Sequence, residues 1–287
     1  MMVYKLGKWV GWGIPVVVSL IFLDGWGKTG AAELLANNPL ELNQLLDKAE
    51  SCKECHKQHF DQWKRSYHAQ SLITIIGGMK KFIEEVEKEK GRFPNKKELL
   101  GCFDCHAPTL RFASEKFTQQ VARMVVEGKK EELAEFRVEC SYCHTVQVTG
   151  KTGKNVYYGP IENPEVTTHE SKYAPEIADS EMCRSCHQSF YKLLEVYCST
   201  VYESWRGTQT SRDKECQFCH MKAYDGTAAE MDEPIQRVVH DHTFPGGHFP
   251  SILQEAVKLN LTARKASPKV TFTVSIKNLA GHHFPDT

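Results

Sequence analysis

Between residues 114 and 128 apolar side chains recur at the spacing of one helical face. Phe117, Val121, Met124 and Val125 follow Ser114, a good helix cap, and Gly128 ends the run, which predicts a helix. Phe190, Leu194, Tyr197, Val201 and Trp205 fit the same template and predict another, with Cys198 on its apolar face as a buried thiol. Residues 79–90, MKKFIEEVEKEK, predict a charged helix with a solvated face. Towards the C-terminus the period becomes two: Val257, Leu259, Leu261 and Ala263 alternate with polar residues, as do Val270, Phe272, Val274 and Ile276, with Ser267-Pro268 between. A β-hairpin is expected there, and because a two-stranded ribbon is marginal alone, it should pack on the body or be completed by strands from a chain continuation or a neighbouring protomer.

At the N-terminus, residues 9–23 (WVGWGIPVVVSLIFL) are apolar and follow Lys5 and Lys8, the order of an export signal. Fifteen residues fall short of the roughly 20 that span a bilayer. Gly30-Ala31-Ala32 offers a small-residue cleavage site, while extension to Trp26 would make a short membrane anchor. Both readings place the body outside the cytoplasm, in the periplasm or at the cell surface.

The 287 residues carry 36 basic and 36 acidic side chains. This balance, without any Lys/Arg-rich run, gives no electrostatic reason to expect nucleic acid. Composition is otherwise unremarked except in cysteine and histidine, of which there are 11 and 13. Ten cysteines form repeats of one pattern: CKECH (Cys52, Cys55, His56), CFDCH (Cys102, Cys105, His106), CSYCH (Cys140, Cys143, His144), CRSCH (Cys183, Cys186, His187) and CQFCH (Cys216, Cys219, His220). Two thiols three residues apart on a helical turn can each add to a vinyl group of the same porphyrin, and the following histidine then lies under the iron. Zinc takes four ligands in a tetrahedron, so five pairs do not divide into four-cysteine sites, and neither zinc nor dithiol chemistry explains the histidine after every pair. Five covalently attached haem c groups are expected, with His56, His106, His144, His187 and His220 as proximal ligands. So little chain per porphyrin implies that the haems supply much of the buried apolar surface.

Eight histidines remain for five open axial positions: His59, His68, His169, His240, His242, His248, His282 and His283. The segments around several of them carry a resemblance. CHKQHFDQWKRSYHAQS after the first motif, YYGPIENPEVTTHES, CSTVYESWRGTQTSRDKECQFCHM, HDHTFPGGHFP and NLAGHHFPDT occur in the order seen in multihaem cytochromes c related to nitrifier tetrahaem cytochrome and hydroxylamine oxidoreductase, which this chain resembles over roughly residues 50–287. The resemblance implies a mainly α multihaem cytochrome c fold with little regular structure, a haem-stacked core and a short C-terminal β-ribbon. It implies distal ligands at His68, His169, His242, His248 and His282, with His240 and His283 as rivals and His59 at the surface. The chain thus reads as three regions: 1–32 as signal or anchor, 33–250 as a pentahaem helical domain, and 251–287 as hairpin and distal-ligand loop, which in proteins of the resembled family is followed by further strands.

Irons with two histidines have no place for a substrate, so the leading expectation is electron transfer through closely spaced haems, between an oxidoreductase or quinol-oxidising membrane complex and an extracytoplasmic acceptor. Two alternatives stand beside it. One is an enzyme acting on a small nitrogen or sulfur compound at a single open haem. The other is self-association into an oligomer or an extracellular cytochrome filament.

Overall fold

A computed structural model describes residues 35–284, except 163, 165–167, 192–194 and 231–233. The expected signal or anchor lies outside these residues. Within them no helix is long and apolar enough to cross a membrane.

Seven helices lead the chain: α1 Pro39–Leu45, α2 Ala49–Cys52, α3 Lys57–Lys64, α4 Ile76–Lys90, α5 Lys96–His106, α6 Glu115–Glu127 and α7 Lys130–Leu133. Helix α6 forms where its cap and periodicity place it: the Ser114 side chain accepts the Phe117 N–H at 3.3 Å, and Gly128 closes it in the left-handed region at φ 72°. Helix α5 starts in a capping box. Asn95 accepts the Glu98 N–H at 3.0 Å, and the Glu98 carboxylate returns the favour to the Asn95 N–H at 2.9 Å. Arg92 and Lys90 also grip that carboxylate, at 2.8 and 2.7 Å, and hold its pKa down at about 2.

Helix α4 corrects the expectation of a merely charged helix. Met79, Phe82, Ile83 and Val86 form a buried stripe at the i, i+3, i+4, i+7 spacing, behind the Lys and Glu side chains of the other face. It shares one core with Leu99 and Phe103 of α5, Phe117, Val121 and Val125 of α6, and Leu110 and Phe136 from the connections. Residues 36–146 therefore own an apolar core, where the motif spacing suggested too little protein for one.

Beyond residue 146 the elements are short. They are α8 Gln147–Thr149, α9 Glu181–His187, α10 Val201–Arg206, α11 Cys216–His220 and α12 Pro250–Ala256, with four two-stranded sheets. Strands β1 Val156–Gly159 and β2 Glu170–Tyr173 pair in parallel. Strands β3 Ser189–Tyr191 and β4 Val196–Ser199, β5 Ala223–Thr227 and β6 Gln236–His240, and β7 Val257–Ala266 and β8 Lys269–Asn278 pair antiparallel. The helix expected across Phe190 to Trp205 is thus a hairpin followed by a shorter helix. Glu195, at φ 51°, turns the chain between β3 and β4, and Phe190 and Tyr197 stack on one another, exposed, with ring centres 4.9 Å apart. Cys198 lies exposed in β4, not on a buried helical face.

The β3–β4 hairpin is fastened to α5 by Tyr191. Its hydroxyl donates to the Glu98 carbonyl at 2.9 Å, and its ring meets Phe82 edge-on. Gly101 makes room for it, because a Cβ there would stand 1.9 Å from the Tyr191 ring. The β7–β8 ribbon pairs through all ten positions, from Val257 opposite Asn278 to Ala266 opposite Lys269, and leaves both faces exposed along nearly its whole length.

Candidate metal centres

Each motif lies in or beside a short helical element. Helices α5, α9 and α11 carry Cys102–His106, Cys183–His187 and Cys216–His220 whole or in their last turns. The first motif runs from the end of α2 to His56, the residue before α3. The third passes through a π turn, Tyr142–Val146, before α8.

The imidazoles are oriented from behind. His56, His106, His144 and His220 direct Nδ1 at the backbone carbonyls of Ala228, Ser71, Tyr158 and Pro245, at 2.7, 2.8, 2.7 and 2.7 Å. A carbonyl can only accept, so Nδ1 carries the proton and the Nε2 lone pair faces away, available to a metal. His242 and His282 are held likewise, by the carbonyls of His240 and His283 at 2.8 and 2.7 Å. Burial favours the neutral form that ligation requires at several of the histidines. It lowers His106, His144 and His220, takes His68 down to about 4, and takes His242 to about 3 with help from nearby His144 and His59.

The motif histidines face partners at one recurrent separation. His56 and His169 have ring centres 6.1 Å apart, His187 and His68 6.4 Å, His144 and His242 6.3 Å, and His220 and His282 6.2 Å. These gaps are too wide for rings in contact. Two imidazoles bound on opposite sides of one metal, with bonds of about 2 Å and each ring centre about 1.1 Å behind its nitrogen, would stand roughly 6.2 Å apart. The four pairs fit a six-coordinate haem iron, with room for the porphyrin between the rings.

His106 has no such partner: among the described residues its ring meets no other ring. His248, the fifth distal candidate, is exposed and packs on Tyr67 at 4.7 Å, beside a shallow cavity lined by Arg65, Gln70 and Phe249. The rivals are not brought to a motif histidine either. His240 directs Nδ1 at the Met221 carbonyl, and the His283 N–H donates to Ser204. Cys198 does approach the second motif; after burial, it is the neighbour that pushes the Cys102 thiol up, to about 11.

Sheets supply what the helices do not. Strand β1 brings the Tyr158 carbonyl to His144, β2 begins at the residue after His169, β5 precedes Ala228, and β6 ends two residues before His242. The loop that follows, HTFPGGHFP, touches three sites. His242 faces His144, Phe244 packs on His68 at 4.4 Å, and the Pro245 carbonyl orients His220. Phe244 does this from the left-handed region, at φ 47°, an unusual conformation for a bulky side chain. Gln62 of α3 accepts the His242 N–H at 3.1 Å.

His59 departs from its expected surface position. It is half-buried, 6.5 Å from the His56 ring and 4.9 Å from His242, and burial lowers its pKa to about 4. Its place three residues after His56 on α3, facing the same way, was the signal available in the sequence. The motif thiols also approach one another across motifs, Cys52 beside Cys140, Cys105 beside Cys186 and Cys183 beside Cys216. Attachment points of different motifs are therefore neighbours.

Known proteins bear on this arrangement. Residues 51–145, which hold the first three motifs, match the family of cytochrome c554 and c-prime. No curated protein matches the chain. The penta-haem cytochrome c552 of Thermochromatium tepidum, a crystal structure, shares its fold with a TM-score of 0.54 and 21% identity, over 83% of this chain and 67% of that one. With its first three attachment motifs inside the family match and this fold shared over 83% of its length, the chain resembles a multihaem cytochrome c.

Proposed function

We propose that this cytochrome is an extracytoplasmic electron-transfer protein with five covalent haem c groups, passing electrons between an oxidoreductase or quinol-oxidising complex and an acceptor outside the cytoplasm. The observation that carries the reading is the recurrence of four histidine pairs at 6.1–6.4 Å, each joining a motif histidine to one from elsewhere in the chain. Haem c at these positions supplies one-electron chemistry at iron. The protein's part is to hold two neutral imidazoles in line, to fix their tautomer through backbone carbonyls, and to fill the axial positions against other ligands. The cysteine contacts between motifs support closely spaced groups, as electron relay needs.

His68→Ala tests the assignment. One haem in five should turn high-spin while haem content per chain stays constant; a spectrum that stays fully low-spin removes His68 as a ligand.

A second reading is favoured by His106, whose ring faces no other histidine among the described residues. In it, the second motif holds an iron open on one side that takes a small nitrogen or sulfur compound. Carbon monoxide and cyanide titrations separate the readings: binding at one iron per chain supports the open site, and an unchanged spectrum leaves electron transfer alone.

A further inference from the structure

The β7–β8 ribbon sorts its side chains by face, with Lys265 and Asn278, at the two ends, the polar residues on the apolar side. One face carries Leu259 opposite Ile276, Leu261 opposite Val274 and Ala263 opposite Phe272, with Val257 and Val270 at its ends. The other carries Lys258 opposite Lys277, Asn260 opposite Ser275, Thr262 opposite Thr273 and Arg264 opposite Thr271. No acidic residue occurs between 257 and 278. The six large apolar side chains, Leu259, Leu261, Val270, Phe272, Val274 and Ile276, are 50–68% exposed.

We propose that this apolar face is an interface with the same face of a second copy of the chain, closing two ribbons into a four-stranded sandwich. Water should not face such a surface, since a ribbon of two strands gains stability only by covering its apolar side. Each ribbon offers roughly 600 Å² of apolar surface, so two bury about 1,200 Å², at the lower bound for a stable specific interface. The patch is self-complementary, as a two-fold dimer requires. Register brings it further support: the cations of one ribbon sit on the side turned away from the partner, apart from Lys265 near the tip, so pairing leaves them in water, where salt screens them. An anionic membrane or acidic protein drawn by those cations would meet the polar side and leave the apolar face uncovered. This inference is independent of how electrons move, and its test reads association only.

Sedimentation equilibrium of the haem-loaded protein should show a dimer. Leu261→Asp and Phe272→Asp should each weaken dimerisation at least about 30-fold, as loss of a central apolar anchor does, while Lys258→Glu and Lys277→Glu change it less than about threefold. Phe272→Leu, which keeps the face apolar, should retain the dimer. An unchanged haem-to-protein ratio and visible spectrum exclude misfolding as the cause. A wild-type monomer at about 100 µM overturns the proposal. So does equal weakening by the polar-face variants, or a ribbon that stays monomeric and instead sediments with phosphatidylglycerol vesicles.

Discussion

Residues 35–146 and residues 147–284 solve the same problem with different materials. In the first region leucines and phenylalanines of α4, α5 and α6 bury one another, and Leu99, Phe103, Leu110, Val121 and Val125 lose all contact with solvent. In the second, the buried apolar residues among those described are Ala174, Tyr202, Trp205 and Val239, while Phe190, Tyr197, Phe218 and Val238 are exposed. Yet the second region supplies His169, His242 and His282, three of the four histidines that face motif histidines. Protein packing stabilises one part; ligation must stabilise the other, whose chain buries too little of itself to offset its ordering entropy.

The strongest way to break this contrast is to prevent attachment in the second region. Cys183→Ser with Cys186→Ser should accelerate amide exchange across residues 174–284 by about a thousandfold or more, and across α4–α6 by less than about tenfold. Uniform loss in both regions would show one cooperative unit. Phe103→Ala should act in the opposite sense. It removes a fully buried ring from the first core and should cost about 3–5 kcal/mol in denaturant unfolding, with the His220–His282 pair, which lies wholly in the second region, still formed.

Gly101→Ala probes the seam. The new methyl collides with the Tyr191 ring, so the β3–β4 hairpin should lift from α5 at a cost of about 1–3 kcal/mol, seen as faster exchange at 189–199. The smallest effect concerns Glu98. Its folded pKa of about 2 lies below the unfolded value of 4.5, so its contribution is complete above 4.5 and fades as pH falls through 2. Glu98→Gln should remove about 1 kcal/mol at neutral pH and flatten stability across that acid window, the loss confined to the first region.

The same contrast explains what could be read from residues alone. Helix α6 and the C-terminal ribbon were legible because cap, period and breaker agree and the neighbours are protein or water. The stripe of α4 was hidden by the lysines and glutamates beside it. Apolar spacing predicts a helix where the β3–β4 hairpin forms, because such spacing is informative only when a protein core selects it, and Phe190 and Tyr197 are exposed. The pairing of His68 with His187 or His169 with His56 has no local signal at all, since each joins distant segments. The acceptor carbonyls of Ala228, Ser71, Tyr158 and Pro245 were equally silent, because any residue can offer one.

The loop from His242 to Pro245 has a further consequence. One short stretch of backbone is a common mounting for three separate ligand sites, so it works as a mechanical crosslink: a shift that tilts one imidazole is transmitted to the other two. Damage there should be read as simultaneous change around His144, His68 and His220, whereas damage at His169 should stay at His56.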